Sequence, residues 1–518
     1  MITIPATEDF TVAWPDPGMS EAPWVGDRMH FPGPTVQLAQ KIVGEFQEQV
    51  LSAPTLFANG YQFSIPPTIP AVPDEVLREG LQIWHNSYAP RIRDLCTRIR
   101  TTDFDAMTGP ELAASMERFA AEVLEGLRLT LVVVRQFMQP TFAMLQFLEE
   151  NLGSDGPILA GMLLQGFKNA TAASGAGIDH LAALAGKSPE LARALKEGQG
   201  ANFRSLKGGA EFESELATFL EEFGWRAEAW NTLHVPTWAE EPSALLALVG
   251  RYLTEAGTAP ETAGKRSSDQ RAAALADVEA RLTDAQRATF RQLLEVALAH
   301  VAVSEDRARW QLSMIGTMRL PALALGRKLA AAGLLDQAKD VFHLSWDEAQ
   351  RAATDPGAWV REAATAGRAD FERWEHLVPP PFLGAIPDPA QMPPDMLPMA
   401  RHFFGLGMPS ITNGVIQGVG ASRGTVVGRA RVIRHLDESD RLEAGDILVC
   451  VTTAPPWTAL FAIAGAVVTD TGGVMSHSGI CAREFAIPCV VATQVGTHAI
   501  PDGATITVDG EAGTVTIM

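Results

Sequence analysis

His477 stands directly after Ser476 and four residues after Gly473 of a glycine pair, within VVTDTGGVMSHSGICAREFAIPCVVAT, residues 467–493. An imidazole with an ordinary pKa of about 6.5 offers a neutral nitrogen nucleophile near pH 7. A phosphoryl group placed on that nitrogen stays reactive enough to be passed on, so histidine can be a relay where serine would be an endpoint. Gly472 and Gly473 follow the strand-like AVVTD, admit backbone conformations closed to other residues, and are expected to leave N–H groups free to approach a ligand. Ser476 is placed to cap a helix carrying His477 in its first turn, and Ile487-Pro488 to end it. An anion on His477 would then face the positive end of a helix dipole. The same spacing also suits a turn followed by a surface histidine, so spacing alone leaves both readings open.

The elements that must position this residue follow from the change of period along the chain. From about Pro73 to His376 the apolar residues recur at helical spacing, with capping-box signals at Thr108/Glu111 and Thr283/Gln286, an expected kink at Pro321 and a stop at Gly333. The first 70 or so residues carry Trp14, Pro15, Pro17, Trp24, Pro32 and Pro34, and are expected to wrap onto those helices. Residues 379–410 are proline-rich and read as an extended, semi-rigid linker with hinges near Gly384 and Gly405 or Gly407. Beyond it, GTVVGRARVI, DILVCVT and AGAVVTD are short strands, PWTALFAI and SGICAREFA are helix-like, and TITVDGEAGTVTI reads as a hairpin. The expected fold is multidomain: a large all-α domain over 1–378, the linker over 379–410, and a small α/β domain over 411–518.

A chain of 518 residues with 47% apolar content exceeds one core. Its net charge of -20 argues against nucleic acid or an anionic membrane as a partner. The apolar stretch LRLTLVVVRQFMQPTFAMLQFL is broken by Arg128, Arg135, Gln136 and Pro140, which opposes a membrane span. Cys96, Cys450, Cys481 and Cys489 show neither CxxC nor zinc spacing, so they read as buried free thiols and no metal site is expected. No signal peptide is visible at the N-terminus, and the cytoplasm is the expected location.

The stretch TDTGGVMSHSGICAREFAIPCVVAT resembles the phosphohistidine signature of the phosphoenolpyruvate-utilising enzymes, and the likeness extends over GASRGTVVGRARVI and LEAGDILVCVTTAPPWTALF. The resemblance implies a swivelling domain in which His477 is the phosphoacceptor. Ser476 would be its cap, Thr471, Gly472 and Gly473 its loop, and Arg483 with Glu484 the Ala-Arg-Glu element that follows. Met475 replaces the threonine of some members and withdraws a hydroxyl there. FLEEFGWRAEAWNTLHVPTWAEEP and KLAAAGLLDQAKDVFHLSWDE are similar to the helical acceptor-binding region of rifampin phosphotransferase.

Full-length relatives also carry an ATP-grasp domain, for which no counterpart is apparent. GTAPETAGKRSS has the wrong spacing for a P-loop and reads as a solvated loop. Phenylphosphate synthase and cresol-phosphorylating relatives divide the work in this way. The resemblance therefore implies a two-component, ATP-dependent phosphotransferase in which a separate ATP-grasp subunit, using ATP and Mg2+, phosphorylates His477. This chain would bind no cofactor alone and would pass the group to a small hydroxyl acceptor, a phenol or alkylphenol, with AMP and phosphate as the other products. Arg226 and Arg319 are candidate phosphate clamps, Glu228 and His234 candidate bases, and Phe223, Trp225 and Trp230 candidate walls for an aromatic acceptor. The alternative is a noncatalytic phosphocarrier whose helices only dock partner proteins. A source in phosphoenolpyruvate itself lacks its barrel domain, because the remaining residues read as helices without alternating strands. Calorimetry on the purified chain should show no micromolar ATP binding; a micromolar isotherm would reveal a nucleotide site within it.

Overall fold

A computed structural model describes residues 10–65, 74–153, 155–165, 170–198, 200–253, 260–386 and 400–518. Helices dominate up to residue 375, and two long ones organise the rest. α1 (Gly109–Leu152) starts at the Thr108 capping box and runs through Pro140 without a break, its 44 residues spanning about 66 Å at 1.5 Å per residue. α2 (Asp155–Leu163) and α3 (Ala170–Gly186) follow it. α4 (Asp284–Thr317) starts at the Thr283 capping box, with Thr283 Oγ1 accepting from the Gln286 N–H, and packs along α1. The chain turns at Met318 rather than at Pro321, which lies in the first turn of α5 (Arg319–Ala331), where its missing N–H costs nothing. Gly333, at φ +71°, stops that helix as expected.

The helical part holds two cores. One gathers residues from Val36 to Val133 and from Val303 to Phe371, and the other gathers residues from Met144 to Ala297. α1 and α4 each run through both, so a rigid pair of helices links them. The GTAPETAGKRSS stretch is helical from Pro260 onward, not a loop, while Gly257 lies outside the described residues. No described helix is long and apolar enough to cross a membrane.

The N-terminal segment contributes a small antiparallel sheet of β1 (Pro23–Gly26), β2 (Thr55–Ala58) and β3 (Tyr61–Ser64), joined at β1 by β4 (Phe382–Gly384). The stretch expected to be linker therefore begins as a strand of the helical body. Gly384, expected to be a hinge, lies in that strand at φ +69°, where a Cβ would meet the Ala22 carbonyl. Residues 387–399, where most of the expected linker falls, lie outside the described residues.

The C-terminal domain is one nine-stranded sheet built from β5 (Ile411–Thr412), β6 (Val415–Gln417), β7 (Val419–Ser422), β8 (Thr425–Val432), β9 (Ile447–Cys450), β10 (Ala466–Thr469), β11 (Cys489–Val491), β12 (Thr505–Asp509) and β13 (Thr514–Ile517). Their order is β5-β6-β13-β12-β8-β9-β10-β11-β7. β8 to β11 run parallel, and β12 and β13 form the expected hairpin. α6 (His477–Phe485) crosses from β10 to β11, so the glycine loop sits at the carboxyl end of β10, where parallel sheets expose their sites. Ala486 ends α6 in the left-handed conformation at φ +54°, just before Ile487-Pro488.

One face of this sheet closes on its own core, which includes Ile447, Val449, Val468 and Val508. Residues of the other face, among them Leu448, Cys450, Val467 and Val491, belong to the same apolar cluster as Met144 to Ala297. The α/β domain is thus docked on the helices through a continuous apolar layer.

Candidate active site at the domain interface

His477 is the first residue of α6, and Ser476 caps the helix by accepting the Gly479 N–H at 3.4 Å. The ring is held from three sides. Nε2 lies 3.3 Å from Thr458 Oγ1, whose hydroxyl donates to the Pro455 carbonyl at 2.9 Å. Cys481, one helical turn on, puts its Sγ 3.4 Å from Nε2 and 3.8 Å from Nδ1. Burial pushes that thiol well above its ordinary pKa, so it faces the ring as a neutral S–H. On the third side Nδ1 lies 3.6 Å from Oε2 of Glu305, which comes from α4 of the helical body; the two side chains are 11% and 12% exposed.

The loop amides differ from expectation. Gly472, Gly473 and Met475 donate their N–H groups to the carbonyls of Phe404, Phe403 and His402, at 3.0, 2.7 and 2.9 Å. A π-helical turn, Ala400–Phe404, therefore lies along the glycine loop and occupies the donors that sequence reasoning assigned to a ligand. A Cβ on Gly473 would run into the His402 backbone, which gives this glycine a packing reason. Among nearby groups, the first-turn amides of α6 remain without intrahelical acceptors. Thr471 is also spent structurally, its hydroxyl and N–H both on the Val451 carbonyl. Arg483 donates from Nη1 to the carbonyls of Ala421 and Val474, while its Nε and Nη2 have no partner and pack on Gly161 of α2.

The four candidates in the helical body fall in different places. Arg226 is buried, holds the Phe223 carbonyl and Ser174 Oγ, and keeps Nη1 without a partner. Burial together with Arg309 pulls its pKa down to about 9, while the charges of Glu305 and Glu222 oppose that shift. It is the one candidate that the structure brings near Glu305. Arg319 is committed to Glu240 at 2.8 Å and to the Leu233 carbonyl, an internal brace rather than a clamp. Glu228 accepts the Leu436 N–H of the α/β domain at 3.0 Å and has His435 at 4.0 Å, so it latches the interface. His234 stacks edge-on against Phe371, and burial holds its imidazole down at about pKa 3. Trp230 packs on Phe46, His30 and Phe31, Phe223 lies between Arg226 and Arg309, and Trp225 under Arg100, so all three serve packing.

Sequence reasoning missed Glu305, Thr458 and Cys481. Cys481 carried a signal, since i,i+4 residues share a helix face. Glu305 carried none, because only docking brings α4 to His477. Further interdomain contacts hold the same pose. Arg28 of the N-terminal segment meets Asp470 at 3.3 Å and the Gln494 carbonyl at 3.1 Å, His402 meets Glu149 of α1 at 3.0 Å, and Arg251 holds the carbonyls of Leu442 and Asp440. A cleft of about 650 Å³ lined by Thr11, Asn59, Arg373, His376 and Leu377 lies beside the small sheet and shares none of these residues.

Comparison with known proteins agrees with the two halves of this geometry. Residues 130–305 match the family described as the rifampicin phosphotransferase fourth domain, and residues 442–513 match the PEP-utilising enzyme mobile domain. Chondramide synthase cmdD of Chondromyces crocatus is 35% identical over 382 residues, 70% of this chain and 10% of that protein. The uncharacterized phosphotransferase YvkC of Bacillus subtilis is 30% identical over 60% of this chain and 37% of its own length. A Streptomyces rifampicin phosphotransferase is 31% identical over 60% of this chain and 35% of its own length. The chain thus spans between 10% and 37% of the curated relatives it matches.

Two measurements follow. Gly473→Ala should cost roughly 1–3 kcal/mol of unfolding free energy by denaturant titration, through overpacking against the 400–404 turn; an unchanged midpoint would remove the packing role. Glu228 titrates at about 7 when docked, raised from 4.5 by burial, and faces His435, Asp437 and Glu438. A carboxyl with a raised docked pKa takes up a proton on docking, so docking is strongest below about pH 4.5 and weakens as pH rises through about 7. Energy transfer between dyes on the two domains should fall from pH 5 to pH 8 and lose that fall in Glu228→Gln, where His402, its imidazole held down by burial against Glu149, contributes only the opposite slope. A rise with pH in the parent chain would contradict this.

Proposed function

We infer that this chain, which carries a mobile domain of the PEP-utilising enzymes beside a helical domain of the rifampicin phosphotransferase type, transfers phosphoryl groups by way of His477. The observation that carries the reading is the 3.6 Å approach of Glu305 to His477 across the interface. A carboxylate that reaches the carrier residue only from the helical body, and so only in the docked pose, suits a transferase, where it can take the proton of the acceptor.

In the proposed cycle an ATP-grasp unit on a separate subunit, with ATP and Mg2+, loads His477. That loading requires the undocked domain, because the docked ring is sealed against the helices. After docking, the oxygen of a small hydroxyl acceptor, a phenol in the reading we favour, attacks phosphorus. The P–N bond breaks, its electron pair returns to the imidazole nitrogen, and the hydroxyl proton passes to Glu305. Arg226, whose Nη1 is unpartnered and whose charge feels that of Glu305, would steady the phosphoryl oxygens. Positioning does most of the work, since the loose transition state of phosphoryl transfer needs alignment and cations more than covalent help.

The test separates loading from transfer. His477→Ala should accept no acid-labile phosphoryl label. Glu305→Gln should be labelled at the normal rate yet pass its label on at least about a hundredfold more slowly, the usual scale of a lost general base. Labelling of a different histidine, or normal transfer by Glu305→Gln, would refute the assignment.

A further inference from the structure

Five arginines are buried among the described residues, and two of them meet a carboxylate, Arg28 on Asp470 and Arg319 on Glu240. Arg483 holds two carbonyls and Arg226 a carbonyl and a hydroxyl, each with guanidinium nitrogen left unpartnered. Arg307 is held by fewer groups still. It lies on α4 two residues beyond Glu305, 8% exposed, and among the described residues its only hydrogen-bond partner is the side-chain oxygen of Gln311, at 2.7 Å from Nη1. Its Nε has no partner, and no described carboxylate stands within ion-pair distance. Gln311 cannot turn away to serve it better, because its amide donates to Thr130 Oγ1 on α1 at 2.7 Å, and that hydroxyl donates in turn to the Leu127 carbonyl. A relay of neutral groups thus fixes a cation in the seam between α1 and α4. Burial pulls its pKa down to about 10, with only the charge of Glu305 opposing.

A buried charge with no counterion is among the costliest features a fold can keep, and replacing it by an apolar side chain often stabilises a protein. A guanidinium also presents a planar fork matched to carboxylate or phosphate oxygens. We propose that Arg307 binds an oxyanion carried by the acceptor, so that the acceptor is an anionic hydroxyl compound, such as a hydroxyaryl carboxylate, and not a neutral phenol. The acceptor assignment rests on the phosphotransfer reading above; the anion site itself does not. Arg226 and Arg307 both feel the charge of Glu305, Arg226 together with that of Glu222, and each keeps a guanidinium nitrogen without a partner.

Equilibrium binding to the full chain tests this without any turnover. The probes are 4-hydroxybenzoate, phenol and inorganic phosphate, read by calorimetry and by thermal shift. The expected result is saturable binding of 4-hydroxybenzoate at least about tenfold tighter than phenol, lost in Arg307→Met and Arg307→Gln and retained in His477→Ala. Ligand-free Arg307→Met should melt no lower than the parent chain, since it removes an unanswered charge. Equal binding of phenol and 4-hydroxybenzoate, undiminished binding in Arg307→Met, or a large fall in its melting temperature would overturn the proposal. Displacement of 4-hydroxybenzoate by phosphate in an Arg307-dependent manner would assign the guanidinium to phosphoryl oxygens and overturn the acceptor assignment. Retention in His477→Ala keeps the two readings apart, because failure of His477 labelling would refute the transfer cycle and leave the anion site standing.

Discussion

The apolar layer between the nine-stranded sheet and the helices 144–297 is the constraint on which the rest depends. A phosphoryl group bound to nitrogen does not diffuse, so the carrier has to be brought to each site by its domain. In the proposed cycle the contact must therefore exclude water when made and still be broken at each turnover. Apolar burial satisfies the first need, being non-directional and tolerant of small shifts. The specific contacts are few and sit around it: Arg28 on Asp470, Glu228 on Leu436, His402 on Glu149. These fix the pose in which His477 meets Glu305. They also place titratable groups in the latch, which makes the docked population responsive to pH while the layer beneath is indifferent to it.

The second consequence concerns what the carrier domain keeps for itself. With its glycine-loop amides given to the 400–404 turn, it holds no cage of donors around His477 beyond the first turn of α6. A strong permanent anion site there would bind the loaded state tightly at every stage and slow release to the acceptor, because uniform binding does not accelerate a step. In the proposed cycle, cations supplied from the opposite face, such as Arg226, would act only when the domain is docked, leaving the carrier plain and the chemistry to the docking partner.

Local pattern was enough for the local elements. Thr108, Thr283 and Ser476 cap the helices they were read to cap, and the hairpin and the strand-to-helix placement of His477 depend on residues close to one another along the chain. Apart from Cys481, one turn on from His477, the site misses are products of distant packing. Glu228, Arg319 and His234 were chosen by residue type in a stretch with a family likeness, yet each is captured by a neighbour from elsewhere: Leu436, Glu240, Phe371. The supposed linker had a proline-rich composition typical of an unpaired segment, but β4 pairs with β1 over 350 residues away, and no local signal encodes a partner so distant. Glu305 likewise looked like one more charge on a long helix until the sheet docked against it.

Contact distances at His477 also bear on which stage of the proposed cycle this pose would represent. Nε2 has Thr458 and Cys481 within 3.4 Å, and Nδ1 has Glu305 at 3.6 Å. Neither nitrogen has room for a phosphoryl group with three oxygens, so the sealed pose is that of the unloaded domain. A loaded domain must sit further out or turn its ring. Transfer then lets the interface close to the observed distance. On that order full closure follows transfer, so the docked cavity need not be large when empty, and the tight apolar contact marks the state in which the group has already left.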